Sequence, residues 1–215
     1  QMRVELVRSL TRTDFDRIDL LVSFLMRSGV DLLAAHVDEA LARGVRIRVL
    51  TTDYLHITDP AALGFFLDRV GTTPEGGALD VKVFSDAATN FHPKAYLFSS
   101  SRSAEGVALV GSSNLSRSGL ELGIEWNLMV QRIDALHDEF ESLWSDPRAT
   151  TVTTDWLRTY DQRRLLSPRL WTEAASPVPP PEPDERSGQG ESDSADGPDG
   201  PDGLDGLDGL GGRGD

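Results

Sequence analysis

Apolar positions along the first two thirds of the chain fall into two alternating rhythms. "RIDLLVSFL" (17–25) is an almost unbroken apolar run of strand length, the pattern of a strand covered on both faces. Val30, Leu33, Ala34, Val37 and Leu41 then recur at the spacing of one helix face, and Gly44 stands where a helix C-terminal cap belongs. "VRIRVLTT" (45–52) returns to the strand period, with Val45, Ile47 and Val49 alternating. "DPAALGFFLDRVG" (59–71) predicts a helix with Asp59 as N-cap, Pro60 at its first position and Gly71 past its end. Four more strands are expected at "LDVKVF", "FHPKAYLF", "GVALVGS" and "IEWNLMVQ", and a closing helix at "IDALHDEFESLWSD". This order from Ile18 to about Gln131 implies an α/β fold, a mixed β-sheet flanked by helices on both faces.

Beyond about Leu170 the pattern stops, and Pro, Gly, Ser and Asp replace the large apolar residues. Such a composition cannot build a core, so the reading divides the chain into a folded domain over 1–170 and a disordered acidic tail over 171–215. The tail also explains the charge. From Ser176 onward there are eleven acidic and two basic residues, a net −9 of the total −14, which leaves −5 for residues 1–175. A whole basic face of the kind that holds DNA nonspecifically is therefore not expected. Arg43, Arg46 and Arg48 form a local cluster that either touches nucleic acid or lines a solvated strand edge.

The chain has no cysteine, which excludes disulfides and thiolate zinc sites and fits a cytoplasmic setting. His36, His56 and His137 lack metal-ligand spacing, so neither a metal nor a cofactor is expected. The most apolar stretch is broken by Arg27, Gly29 and Asp31, too soon for a membrane span, and no secretion signal precedes it.

One of only two lysines, Lys94, stands two residues after His92 in "FHPKAYLF". Alternation in a strand puts His92, Lys94, Tyr96 and Phe98 on one side and Phe91, Pro93, Ala95 and Leu97 on the other. An imidazole beside an ammonium is costly to desolvate without an anion, and a phosphate suits the pair. The next strand runs into Gly111, Ser112, Ser113 and Asn114, where a glycine permits a close turn and hydroxyl and amide groups offer donors to anionic oxygens. Together these residues supply a nucleophile or base, a cation and a donor cradle, the parts needed for metal-free phosphodiester cleavage.

"HPK" followed by "GSSN" resembles the His-x-Lys and Gly-Ser-x-Asn motif of the phospholipase D superfamily. The wider context, including "DRIDLLVSFLMRSGVDLL", "GSSNLSRSGLELGIEWNL" and "FESLWSDP", is similar to the nuclease-like domain at the N-terminus of bacterial superfamily II DEAD/DEAH-box helicases, over roughly residues 3–165. The resemblance implies that His92 attacks phosphorus to give a phosphohistidine. Lys94, Ser112, Ser113 and Asn114 then correspond to the phosphate-binding groups, and Glu125 in "GIEWN" to the carboxylate that orients the histidine. Catalytic residues would thus be His92, Lys94, Asn114 and Glu125. The family's aspartate five residues after the lysine is Ser99 here, which weakens a reading as a lipid hydrolase. A single His-x-Lys copy implies a nuclease acting as a homodimer, with DNA as partner and a helicase domain or subunit nearby. The alternative is a binding module that holds a phosphate backbone without turnover. No Gly-x-x-x-x-Gly-Lys-[Ser/Thr] loop occurs, so any motor lies outside this chain.

Overall fold

The computed structural model describes residues 2–86, 90–103 and 105–166; the tail expected over 171–215 lies outside the described residues. In chain order the elements are α1 (Met2–Leu10), β1 (Arg17–Val22), α2 (Arg27–Asp31), α3 (Ala34–Ala42), β2 (Arg46–Thr52), α4 (Pro60–Leu67), β3 (Gly71–Thr72), β4 (Ala78–Phe84), β5 (Lys94–Ser99), β6 (Gly106–Gly111), β7 (Asn127–Val130), α5 (Asp134–Ser145), β8 (Ala149–Thr151) and α6 (Thr154–Leu166). One mixed sheet carries the order β3-β4-β2-β1-β5-β6-β7, with β8 added to β4. Strands β1, β2 and β4 run parallel, while β5, β6 and β7 alternate in direction beside them.

The two periods seen in the sequence become the two faces of this sheet. Ile18, Leu20 and Val22, with Tyr96 and Phe98, bury against Leu6 of α1, Val37 of α3, Phe66 of α4 and Tyr160 of α6. Leu21, Leu50, Ala95 and Leu97 face the other way, onto Phe140 of α5. Each large apolar side chain taken fully out of water contributes about 1.5–3 kcal/mol, and a one-residue slip of β5 would turn its whole buried set inside out. The register that positions Lys94 is therefore fixed by the core.

Asp59 caps α4 by accepting from the Ala61 amide at 2.9 Å, and Gly44 holds a φ of +85° after α3, as the sequence implies. The helix expected over 30–41 is instead two, α2 and α3, and Val30 and Leu33 at the break are both buried. Helix α6 was not legible, because its segment is mostly polar and buries only Tyr160. That residue donates to the Thr58 carbonyl at 2.7 Å and stacks on Trp156.

The three arginines have different surroundings. Arg43 donates to the Leu10 carbonyl at the end of α1, and Arg46 is exposed. Arg48 is buried, bonded to Asp19 at 2.6 Å and to Glu141 of α5 at 2.9 Å, with its guanidinium 4.6 Å from the Phe140 ring centre. It docks α5 on the sheet.

Candidate active site

Parallel strands end together, so the C-terminal ends of β1, β2 and β4 share one edge of the sheet with the start of β5 and the end of β6. Ligands bind at this edge in open α/β sheets. Here it gathers the Ser23–Phe24 segment after β1, His92 and Lys94 at the head of β5, and the Gly-Ser-Ser-Asn turn that begins at the last residue of β6.

Lys94 opens β5, with His92 just ahead of the strand. The ammonium donates to the His92 carbonyl at 2.8 Å and to Ser23 Oγ at 3.2 Å, and lies 3.4 Å from His92 Nδ1. The two hydrogen-bond partners, a carbonyl and a hydroxyl oxygen, are uncharged. Among the described residues no carboxylate forms an ion pair with Lys94. Burial lowers the Lys94 pKa from its ordinary 10.5, and the charge of Glu125 pulls it the other way. A half-buried cation without a bonded anion is prepared for an anionic ligand. His92 is exposed, and its ring meets Phe24 edge-on, with centres 5.6 Å apart.

Asn114 Oδ1 accepts the Phe24 amide at 3.1 Å, which turns its NH₂ group away from that contact and leaves it as a donor. Ser23 donates to the Pro93 carbonyl at 3.1 Å. Two consecutive residues thus join the parts of the site: Ser23 holds Lys94, and Phe24 holds Asn114 and flanks His92. Neither was picked out from the sequence. The one available signal was a serine inside the apolar run "LLVSFL", and its contact lies 71 residues away.

One sequence expectation needs correction. Ser113 is fully buried: its Oγ accepts from Asn127 Nδ2 at 2.8 Å and its carbonyl accepts the Tyr96 hydroxyl at 3.0 Å. It braces the turn from below and offers nothing to a phosphate. Glu125 makes no hydrogen bond to His92 of its own chain; its carboxylate accepts the Ser112 hydroxyl, whose oxygen in turn accepts the Trp126 amide at 3.0 Å. Ser112 and Glu125 therefore form a pair at the rim of the site. Gly111 is demanded by this turn, since a Cβ there would stand 2.0 Å from the Trp126 carbonyl oxygen.

Ser99 closes β5 at its far end, five residues from Lys94 and roughly 16 Å away at strand rise. The departure from the motif at this position removes no group from the site. Among the described residues no cluster of His, Asp and Glu has the arrangement of a metal site, and no helix is long and apolar enough to cross a membrane.

Residues 6–144 match the family model described as cardiolipin synthase, PLD-like domain. The chain belongs to the phospholipase D-like family. Membership places it among proteins that act on phosphodiester linkages. The fold is similar to that of several solved structures, including the following two. The phospholipase D family member Nuc from Salmonella typhimurium is 16% identical with a TM-score of 0.50, covering 71% of this chain and 91% of that one. Phosphatidylserine synthase from Haemophilus influenzae Rd KW20 is 12% identical with a TM-score of 0.52, covering 75% of this chain and 41% of the synthase, so the chain spans under half of that protein. No curated protein sequence matches the chain.

Proposed function

We propose that this phospholipase D-like domain is a metal-independent phosphodiesterase that cleaves nucleic acid, DNA in the first instance, through a phosphohistidine on His92. The observation that carries the reading is the Lys94 ammonium, half-buried and bonded to carbonyl and hydroxyl oxygens with no carboxylate paired to it among the described residues, beside the exposed imidazole of His92. In the first step a ring nitrogen of His92 forms a bond to phosphorus as the bond to one ester oxygen breaks; a proton donor delivers a proton to that leaving oxygen. In the second step water attacks phosphorus, loses its proton to the group that gave one up, and releases His92. Lys94 and the Asn114 amide stabilise the charge that builds on the non-bridging oxygens.

The proton donor is the gap in a single chain. Histidine is the side chain able to hold either protonation state near neutrality, and general acid help is worth roughly a hundredfold to ten-thousandfold. His92 is the one histidine beside Lys94; His56 follows β2 and packs on Tyr160 of α6 with ring centres 5.9 Å apart, His137 lies on α5 beside Glu141, and His36 is on α3. The reading therefore pairs two chains about a twofold axis, so that one His92 attacks while the other gives up the proton. Glu125, which makes no bond to His92 of its own chain, is assigned to orient the histidine of the second copy. The sequence context suggests work beside a helicase, and the domain limits of 1–170 and 171–215 stay part of the proposal.

The expected behaviour is cleavage of bis(4-nitrophenyl) phosphate and of oligonucleotides that persists in excess EDTA, because Lys94 supplies the cationic stabilisation a metal would give. Activity that EDTA abolishes and magnesium restores would remove the reading. A protein that binds oligonucleotides tightly and turns nothing over would favour the binding-module alternative.

A further inference from the structure

Residues 1–175 carry a net −5, and most of their arginines are bound to an acid or a carbonyl. Among the described residues Arg46, Arg117 and Arg132 make no side-chain hydrogen bond or ion pair. Arg46 opens β2 and Arg132 follows β7, so both stand at the end of the sheet opposite His92. Arg117 stands at the site edge, three residues past Asn114. The other arginines of that edge are occupied: Arg27 by Asp31 at 2.6 Å, Arg148 by Asp86 at 2.8 Å, Arg163 by Asp53, and Arg164 by the His56 carbonyl at 3.1 Å.

The backbone carries Arg117 together with Asn114. The Ser116 amide donates to the Asn114 carbonyl at 2.9 Å, and a Cβ on Gly119 would stand 2.4 Å from that same oxygen, so the chain folds back tightly over Asn114. The turn is also tied to the segment after β1: the Met26 amide donates to the Leu115 carbonyl at 2.9 Å, and the Arg117 amide to Ser28 Oγ at 3.3 Å. Leu115 and Ser116 are buried, whereas Arg117 is exposed. A fixed backbone thus presents a guanidinium whose planar fork is unused, the geometry that suits two oxygens of a phosphate. We propose that Arg117 grips a phosphate next to the one held by Lys94 and Asn114, which makes a polynucleotide strand, with its row of phosphates, the substrate of the site. The inference rests on the phosphodiesterase reading above and names what that site recognises. Phosphates repeat about every 3.4 Å of helix axis along one DNA strand, within the span of a long side chain based three residues from Asn114. A diester with a single phosphate would leave the guanidinium idle.

Arg117→Gln tests the contact in the full chain, and the exposed side chain has no bond whose loss would unfold the protein. The ratio of kcat/KM for an oligothymidylate to that for bis(4-nitrophenyl) phosphate is expected to fall about threefold to tenfold, the size of one exposed charge-assisted contact. Binding is read separately by anisotropy of a fluorescent single-stranded oligonucleotide, in His92→Ala chains with and without Arg117→Gln, over a series of salt concentrations. The slope of log K against log salt should flatten by about 0.7, one phosphate contact on a single strand, and Arg117→Lys should restore it. Equal losses on both substrates, an unchanged salt slope, or weakened binding to phosphatidylglycerol vesicles with none to the oligonucleotide would each overturn the inference. The two readings fail differently. A flattened slope in a protein that turns nothing over would count against catalysis and leave the Arg117 contact standing, while turnover of oligonucleotides with an unchanged slope would do the reverse.

Discussion

His92→Ala is expected to lower phosphodiesterase turnover roughly ten-thousandfold or more, to the background of the uncatalysed reaction, because it removes the atom that attacks phosphorus. The substitution leaves the fold alone: His92 is exposed, and its one ring neighbour besides Lys94 is Phe24. Binding of an oligonucleotide should survive within a few-fold, since Lys94 and Asn114 keep their positions through Ser23 and Phe24. The same variant also reports on the shared site. When wild-type and His92→Ala chains are mixed and allowed to exchange fully, each working site needs two intact histidines, so activity should follow the square of the wild-type fraction. A linear fall would show that each chain works alone. Turnover by His92→Ala itself would show that the nucleophile is elsewhere.

The second large effect belongs to Lys94. Lys94→Met should reduce kcat/KM by roughly a hundredfold to a thousandfold, the size of one lost charge-stabilising donor. A pH profile separates the role of the charge from simple packing. Lys94 is useful only while protonated, and burial lowers its pKa from 10.5. Activity must therefore fall as pH rises through that lowered value, giving an alkaline limb below 10.5. In Lys94→Arg the guanidinium keeps its charge to about pH 12, so whatever activity remains should lose that limb. A limb that stays in place in Lys94→Arg would assign it to another group.

Much of the sheet was readable because burial imposes periods that a chain cannot disguise. Tyr96 and Phe98 went to one core and Ala95 and Leu97 to the other, and that alternation carried Lys94 to its place. What stayed hidden depends on contacts between distant segments. Ser23 reaches Lys94 because β1 and β5 are neighbours in the sheet, and nothing local to Ser23 announces it. Ser113 and Ser112 look alike in the sequence, yet a one-residue step along the turn buries the first under Asn127 and leaves the second at the rim with Glu125. The contact of Glu125 with Ser112 was likewise not legible, since a motif gives residue types in order and says nothing about which of them touch. Ser99 shows the converse. Its departure from the family pattern is plain in the sequence, while the length of β5 is what places it at the end of the strand away from Lys94.

The central claim is a covalent bond between His92 and phosphorus, and the most direct measurement is to catch it. Wild-type protein mixed with an oligonucleotide in excess, quenched in alkali within the first turnovers and digested, is expected to yield a peptide in which His92 carries the phosphoryl end of the cut strand. That adduct should be stable to base, lost in mild acid, formed equally in EDTA, and absent from His92→Ala. Product release at full rate with no adduct on His92 at any quench time would contradict the account.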